Sequence, residues 1–251
     1  MADLPPPDSA STDETDTRRM KAIFVTGAAL VFAVVPFAVP FNGFDPNAFP
    51  VPQDRPPVQP AGYAFAIWGP IYLWLVLHAF FGLARRADDA AWDAVRWPIT
   101  LSMVLGAAWL PVAQFSPPWA TVMIWAMLLS AVTALWRSPV AEDRWLLRAP
   151  ISLYAGWLTA ASWVAIGLLG AGYGLGPEET GWAWIGLAGA LATALAVTRL
   201  VPNAPFYAVG VVWALVAVAA ANWAANWALV AVALGGAAVV VSPTLGQLRA
   251  G

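Results

Sequence analysis

The side chains in this sequence whose type and spacing could do chemistry are aromatic rings and amides, and their chemistry is binding rather than catalysis. Trp68, Trp109 and Trp163 fall inside long apolar stretches, and Tyr63, Phe65, Tyr72 and Gln114 lie at similar depth on two of them. An indole N–H held in hydrocarbon needs an acceptor, so such rings are expected to face other helices or a cavity rather than lipid. Aromatic walls with a few hydrogen-bonding groups suit a flat apolar ligand. Simple ring packing between helices would draw on the same residues.

Catalysis has much less to work with. Cysteine is absent, which excludes disulfides, thiolate metal sites and cysteine nucleophiles together. The single histidine, His78, cannot make a multi-histidine metal site. It reads either as an axial ligand to a haem- or chlorophyll-type metal or as a ring bonded to a neighbouring helix backbone. The apolar stretches contain no Asp, Glu, Lys or Arg, so proton relays and ion-coupled carboxylate sites lack donors and a retinal Schiff base lacks its lysine. There is no paired carboxylate, phosphate-binding loop or nucleophile–base pair. The chain is therefore expected not to be an enzyme, to require no cofactor and to bind no nucleic acid.

The elements that must position these rings follow from composition. Of 251 residues, 61% are hydrophobic and 10% charged, against about a quarter charged in soluble domains. Lipid must cover most of such a surface, so membrane lipid is the first expected partner. A hydrocarbon core about 30 Å thick needs roughly 20 apolar residues of helix. Charge-free stretches of that size occur at 22–41, 63–84, 98–115, 119–136, 149–170, 181–198, 204–222 and 226–242. The predicted fold is an all-α, polytopic membrane helix bundle of about eight transmembrane helices. Residues 1–21, rich in Pro, Asp, Ser and Thr, are predicted to be a disordered N-terminal tail.

Charge placement tests that count. With the N-terminus inside, the inner segments hold Arg18, Arg19, Lys21, Arg85, Arg86, Arg96, Arg137, Arg144, Arg148, Arg199 and Arg249, and the outer ones only Arg55. This is a strong positive-inside bias, and a miscounted helix would invert every later loop. It predicts a multi-pass protein of the bacterial inner (cytoplasmic) membrane with both termini cytoplasmic. The weakest boundary is the last, where only Asn222, Trp223, Asn226 and Trp227 mark a turn; the alternative is a seventh helix followed by a surface-packed tail.

The 42–60 connection carries six prolines, which stiffen it. It is either a plain connector or a semi-rigid lid over an outer cavity. Among the 16 tryptophans, Trp92, Trp97, Trp119, Trp136, Trp145, Trp182, Trp184, Trp223 and Trp227 fall at span ends, where an interfacial belt needs no further explanation. Trp68, Trp74, Trp109, Trp125, Trp157, Trp163 and Trp213 fall within spans. Gly186, Ala190 and Ala194 form a small-residue stripe that permits close packing within the bundle or in a homodimer.

At this point the residues resemble a family. PAGYAFAIWGPIY at 60–72 is similar to the second-helix signature of the tryptophan-rich sensory protein (TspO/MBR, translocator protein) family, with Pro60, Tyr63, Phe65, Trp68 and Tyr72 at its positions. GAAWLPVAQF at 106–115 resembles its third-helix pattern through Trp109, Pro111 and Phe115. PISLYAGWLTAASW at 150–163 resembles its fifth-helix pattern through Pro150, Tyr154 and Trp157. Gly106 and Ala165 stand where many members have Asn. The resemblance covers residues 22–170, a five-helix TspO-like membrane domain, and leaves 171–251 as a three-helix C-terminal membrane extension. It implies a receptor or carrier binding a tetrapyrrole such as a porphyrin or haem, or another small, flat lipophilic ligand, in a pocket below the first loop. The ring would stack on Trp68, Tyr72, Trp109 and Trp163, with Tyr63 or Gln114 bonding polar edges and Phe65, Tyr154 and Trp157 completing the wall. A transporter of a small neutral solute and an accessory or assembly subunit of a membrane complex are the alternatives.

Overall fold

The computed structural model describes residues 9–41, 43–140 and 143–250, with side chains described for 13–41, 43–140 and 143–242. It contains eight α-helices among the described residues: α1 (Ser9–Ala38), α2 (Trp68–Arg85), α3 (Ala90–Phe115), α4 (Pro117–Arg137), α5 (Arg148–Gly172), α6 (Glu179–Leu200), α7 (Pro205–Asn222) and α8 (Trp227–Ala250). Every predicted span is helical. Seven helices are long and apolar enough to cross a membrane, and α8 contributes a shorter apolar stretch, Trp227–Ser242. The protein is an all-helical, multi-pass membrane bundle.

One boundary differs from expectation. The predicted tail over 1–21 is corrected from Ser9 onward, because residues 9–21 continue α1; residues 1–8 lie outside the described residues. Tertiary contacts supply what composition did not. Lys21 pairs with Asp93 at 2.8 Å, and the Arg18 guanidinium donates to the Asp88 carbonyl. Arg96 donates to the Arg18 carbonyl at 2.7 Å. The last turn falls where it was expected, between Asn222 and Trp227, and α8 folds back on α7 and α6. Asn222 closes this turn by accepting from the amides of Ala225 and Asn226, and Asn226 Oδ1 caps α8 through the amide of Leu229.

The axis of the bundle is α5. Residues 147–160 are buried without exception, as expected of a helix apolar on every face. It packs against α2, α4, α6 and α7. Its hydroxyls are bonded internally: Tyr154 lies 3.0 Å from Ser102 of α3, and Thr159 2.8 Å from Tyr207 of α7. The closest approach is to α7, which runs parallel to it. A Cβ on Gly156 would stand 2.2 Å from the Tyr207 carbonyl oxygen, and one on Gly210 2.7 Å from that of Leu153. One hydrophobic core thus includes residues of all eight helices.

Candidate ligand-binding site

At the end of the bundle opposite the arginines, a cavity of about 60 Å³ opens between α3, α4, α5 and α7, beneath the proline-rich segment. Its walls are Phe65 from the one-turn helix Gly62–Ile67, Trp109 from α3, and Trp157, Ala160, Ala165 and Leu168 from α5. Trp109 is fixed by its indole N–H, which donates to the Ala120 carbonyl of α4 at 2.8 Å. Phe41 and Phe44 meet its ring at 4.8 and 6.2 Å. Trp157 is 2% exposed, and its indole N–H has no partner among the described residues. A buried donor left without a partner carries a desolvation cost, and it belongs to a residue that lines the cavity.

The roof is the 43–60 segment, which contributes Gly43, Phe44, Gln59 and Pro60. It is pinned from the C-terminal helices. The Val51 amide donates to the Gly172 carbonyl at 2.8 Å, and the Ala61 amide to that of Ala217 at 3.0 Å. Asn222 Nδ2 donates to the Pro57 carbonyl at 2.8 Å. Phe49 packs on Gly172, and Val58 lies between Gly167 of α5 and Gly186 of α6, leaving no space for a Cβ at any of these glycines without movement. Of the two readings of this segment, the geometry is that of a lid.

The predicted site residues divide into three groups. Phe65, Trp109 and Trp157 line the cavity. Trp68, Tyr72 and Tyr154 form an aromatic stack behind it: Trp68 lies parallel to Tyr72 at 5.2 Å and edge-on to Trp157 at 6.1 Å, while Phe32 meets Tyr72 and Tyr154 at 4.9 and 5.7 Å. Gly106 admits Phe32, whose ring is 2.4 Å from where a Cβ would sit. Tyr63, Gln114 and Trp163 lie elsewhere. Tyr63 is exposed beside Trp213, Gln114 donates outward to the Pro40 carbonyl, and Trp163 faces α6, donating to Thr193 at 2.9 Å. Sequence reasoning missed Phe41, Phe44, Gln59 and Ala214. The phenylalanines flanking the start of the proline-rich segment were the available signal.

The arginine-bearing end is structural. His78 is buried, donates from Nδ1 to the Leu146 carbonyl at 2.8 Å, and stacks on Trp92 at 4.9 Å. It is a packed ring remote from the cavity. Trp92, expected in the interfacial belt, is 1% exposed and donates to Asp143 at 3.1 Å; six others at helix ends, including Trp97, Trp119 and Trp136, are exposed as expected. The Arg86 guanidinium, 2.6 Å from Asp143, holds that carboxyl below the usual range, with the Trp92 bond adding to it.

A family model described as TSPO-like protein matches residues 20–245. No curated protein and no solved structure matches the chain. The matched region takes in α6, α7 and most of α8.

Proposed function

The chain belongs to the TSPO-like protein family, and from that premise we propose that it is a membrane receptor or carrier for a tetrapyrrole-like or other flat lipophilic ligand held in the aromatic cavity. The observation that supports this most is the convergence of Phe65, Trp109 and Trp157, whose indole N–H is unpaired among the described residues, on one largely apolar space under a pinned lid. Rings fix the plane of the ligand, and the orphan N–H selects an acceptor on its edge. The positive-inside bias supports an orientation in a bacterial inner membrane with the arginine-bearing end cytoplasmic and the lid outside.

At about 60 Å³ the cavity is far smaller than a tetrapyrrole requires, since small-molecule sites run from roughly 300 Å³. Binding therefore includes lid opening. Asn222→Leu removes the side-chain bond to Pro57 with little change in volume. It is expected to raise the association rate of protoporphyrin IX several-fold in stopped-flow quenching; an unchanged rate would mean that the lid does not gate the site.

Equilibrium titration tests the site itself. Protoporphyrin IX should quench the tryptophan fluorescence of detergent-purified protein saturably, and Trp109→Phe or Phe65→Leu should weaken binding roughly fivefold each, the scale of one aromatic contact. Trp163→Phe, on the α6 side of α5, should not. Non-saturating quenching in the unaltered protein would sink the proposal, and equal effects of all three changes would sink the site assignment. A transporter of a small neutral solute would need a path to the arginine-bearing end, and the close Gly156–Gly210 contact leaves none between α5 and α7.

A further inference from the structure

A second cavity of about 30 Å³ lies beside the first, between α5, α6, α7 and α8. The two share Ala160, Val164 and Ala214 in their walls. The reason is geometric. α5 and α7 touch at Gly156 and Gly210, and Ala160 and Ala214 stand one helical turn further towards the lid, where small side chains leave a crevice between the diverging helices. The far wall is equally small, with Ala183, Gly186 and Ala190 on α6. Pro57 and Val58 of the lid close the top.

The chemistry of the two spaces differs. The first has aromatic walls and Gln59 at its roof, and Trp157, whose buried N–H has no partner among the described residues, is one of its lining residues. The second is lined by aliphatic side chains, glycine and proline, and gives a water molecule none of the two to four polar partners that it needs. No charged side chain among the described residues lines either. Burying an ionised group there would cost several kcal/mol.

We infer that the site takes an uncharged, acceptor-bearing ring carrying one hydrocarbon chain, with the ring in the aromatic cavity and the chain passing between Ala160 and Ala214 into the space under Val58. This rests on the ligand-binding reading above and narrows it to a class of molecule. The ring's carbonyl or ether oxygen accepts from Trp157, and the chain displaces nothing that needs a hydrogen bond. Opening the lid moves Val58 out from between α5 and α6, so one motion admits ring and chain together.

The test compares 2,3-dimethoxy-5-methyl-1,4-benzoquinone with the same ring bearing a decyl chain, each titrated by tryptophan quenching against the full chain in detergent. The readout is the ratio of the two dissociation constants, divided by the ratio of their partition into protein-free micelles. That corrected ratio is expected to be tenfold or more. Val58→Ala, which widens the second space, should raise it, and Ala190→Leu, which fills that space, should bring it close to one. Val58→Ala lies on the lid and carries the test alone if Ala190→Leu fails to fold. A corrected ratio near one in the unaltered protein, or one identical in all three proteins, overturns the inference, because the chain then stays in the micelle. Absence of saturable quenching by either quinone overturns it as well. Protoporphyrin IX titrated into the same preparation separates the two levels. If it still saturates, the chain-bearing class alone is wrong; if it does not, the ligand-binding reading falls too.

Discussion

Replacing Arg148 by methionine is expected to destabilise the bundle by about 3 kcal/mol or more, read as a large drop in the thermal unfolding midpoint of the detergent-solubilised protein. Arg148 is 5% exposed, and its guanidinium faces no carboxylate among the described residues. It donates instead to the carbonyls of Leu135 at 3.3 Å, Ser138 at 2.5 Å, Pro202 at 2.7 Å and Asn203 at 3.1 Å, and to Ser138 Oγ at 2.8 Å. These acceptors come from the end of α4 and from the α6–α7 connection. Helix C-termini leave carbonyls without intrahelical partners and carry partial negative charge, so one cation between two of them satisfies both. Methionine fills the volume but leaves the carbonyls bare in a buried setting. Arg148→Lys should recover less than half of the loss, because an ammonium lacks the planar fork that reaches two segments at once. A midpoint within a degree of the unaltered protein for Arg148→Met would show that the clamp contributes nothing.

Gly156→Ala is expected to be the most damaging single-methyl addition in the chain. The new Cβ would stand 2.2 Å from the Tyr207 carbonyl oxygen, which is backbone and cannot rotate aside. Relief requires α7 to move off α5, disturbing the Thr159–Tyr207 hydroxyl pair and the crevice one turn away. Overpacking of this kind costs about 1–3 kcal/mol, and the upper end is expected where backbone meets backbone. Gly27→Ala provides the contrast. Nothing lies within 4 Å of its added Cβ, so helix propensity alone should stabilise α1 by up to about 1 kcal/mol. Equal midpoints for the two variants would mean that the α5–α7 approach is looser than the geometry requires. Loss of porphyrin quenching in Gly156→Ala, with quenching retained in Gly27→Ala, would tie the same crossing to the site.

Much of the fold was legible in the sequence because insertion into a bilayer is decided by quantities summed along the chain. Eight charge-free stretches, interrupted by arginines at one end and prolines at the other, define helices with no reference to their neighbours. Absence of cysteine and of ionisable residues within the spans limited the chemistry in the same way. The second, third and fifth helices were also identifiable as the carriers of the aromatic residues.

Which of those rings face a shared space was decided by tertiary structure. Each residue turns a helix face by about 100°, so depth alone cannot separate Trp109, on the cavity wall, from Trp163, bonded to Thr193 on another face of the bundle. Helix rotation is set by contacts between segments distant in sequence: Gly156 on Tyr207, Gly106 on Phe32, Val58 between Gly167 and Gly186. The same holds for Trp92, whose place at a helix end suggested lipid headgroups until His78 and Asp143 proved to enclose it, and for residues 9–21, a helical stretch that meets the start of α3 at Arg18 and Lys21. Hydropathy fixes how deep a side chain lies, and only packing fixes which way it points.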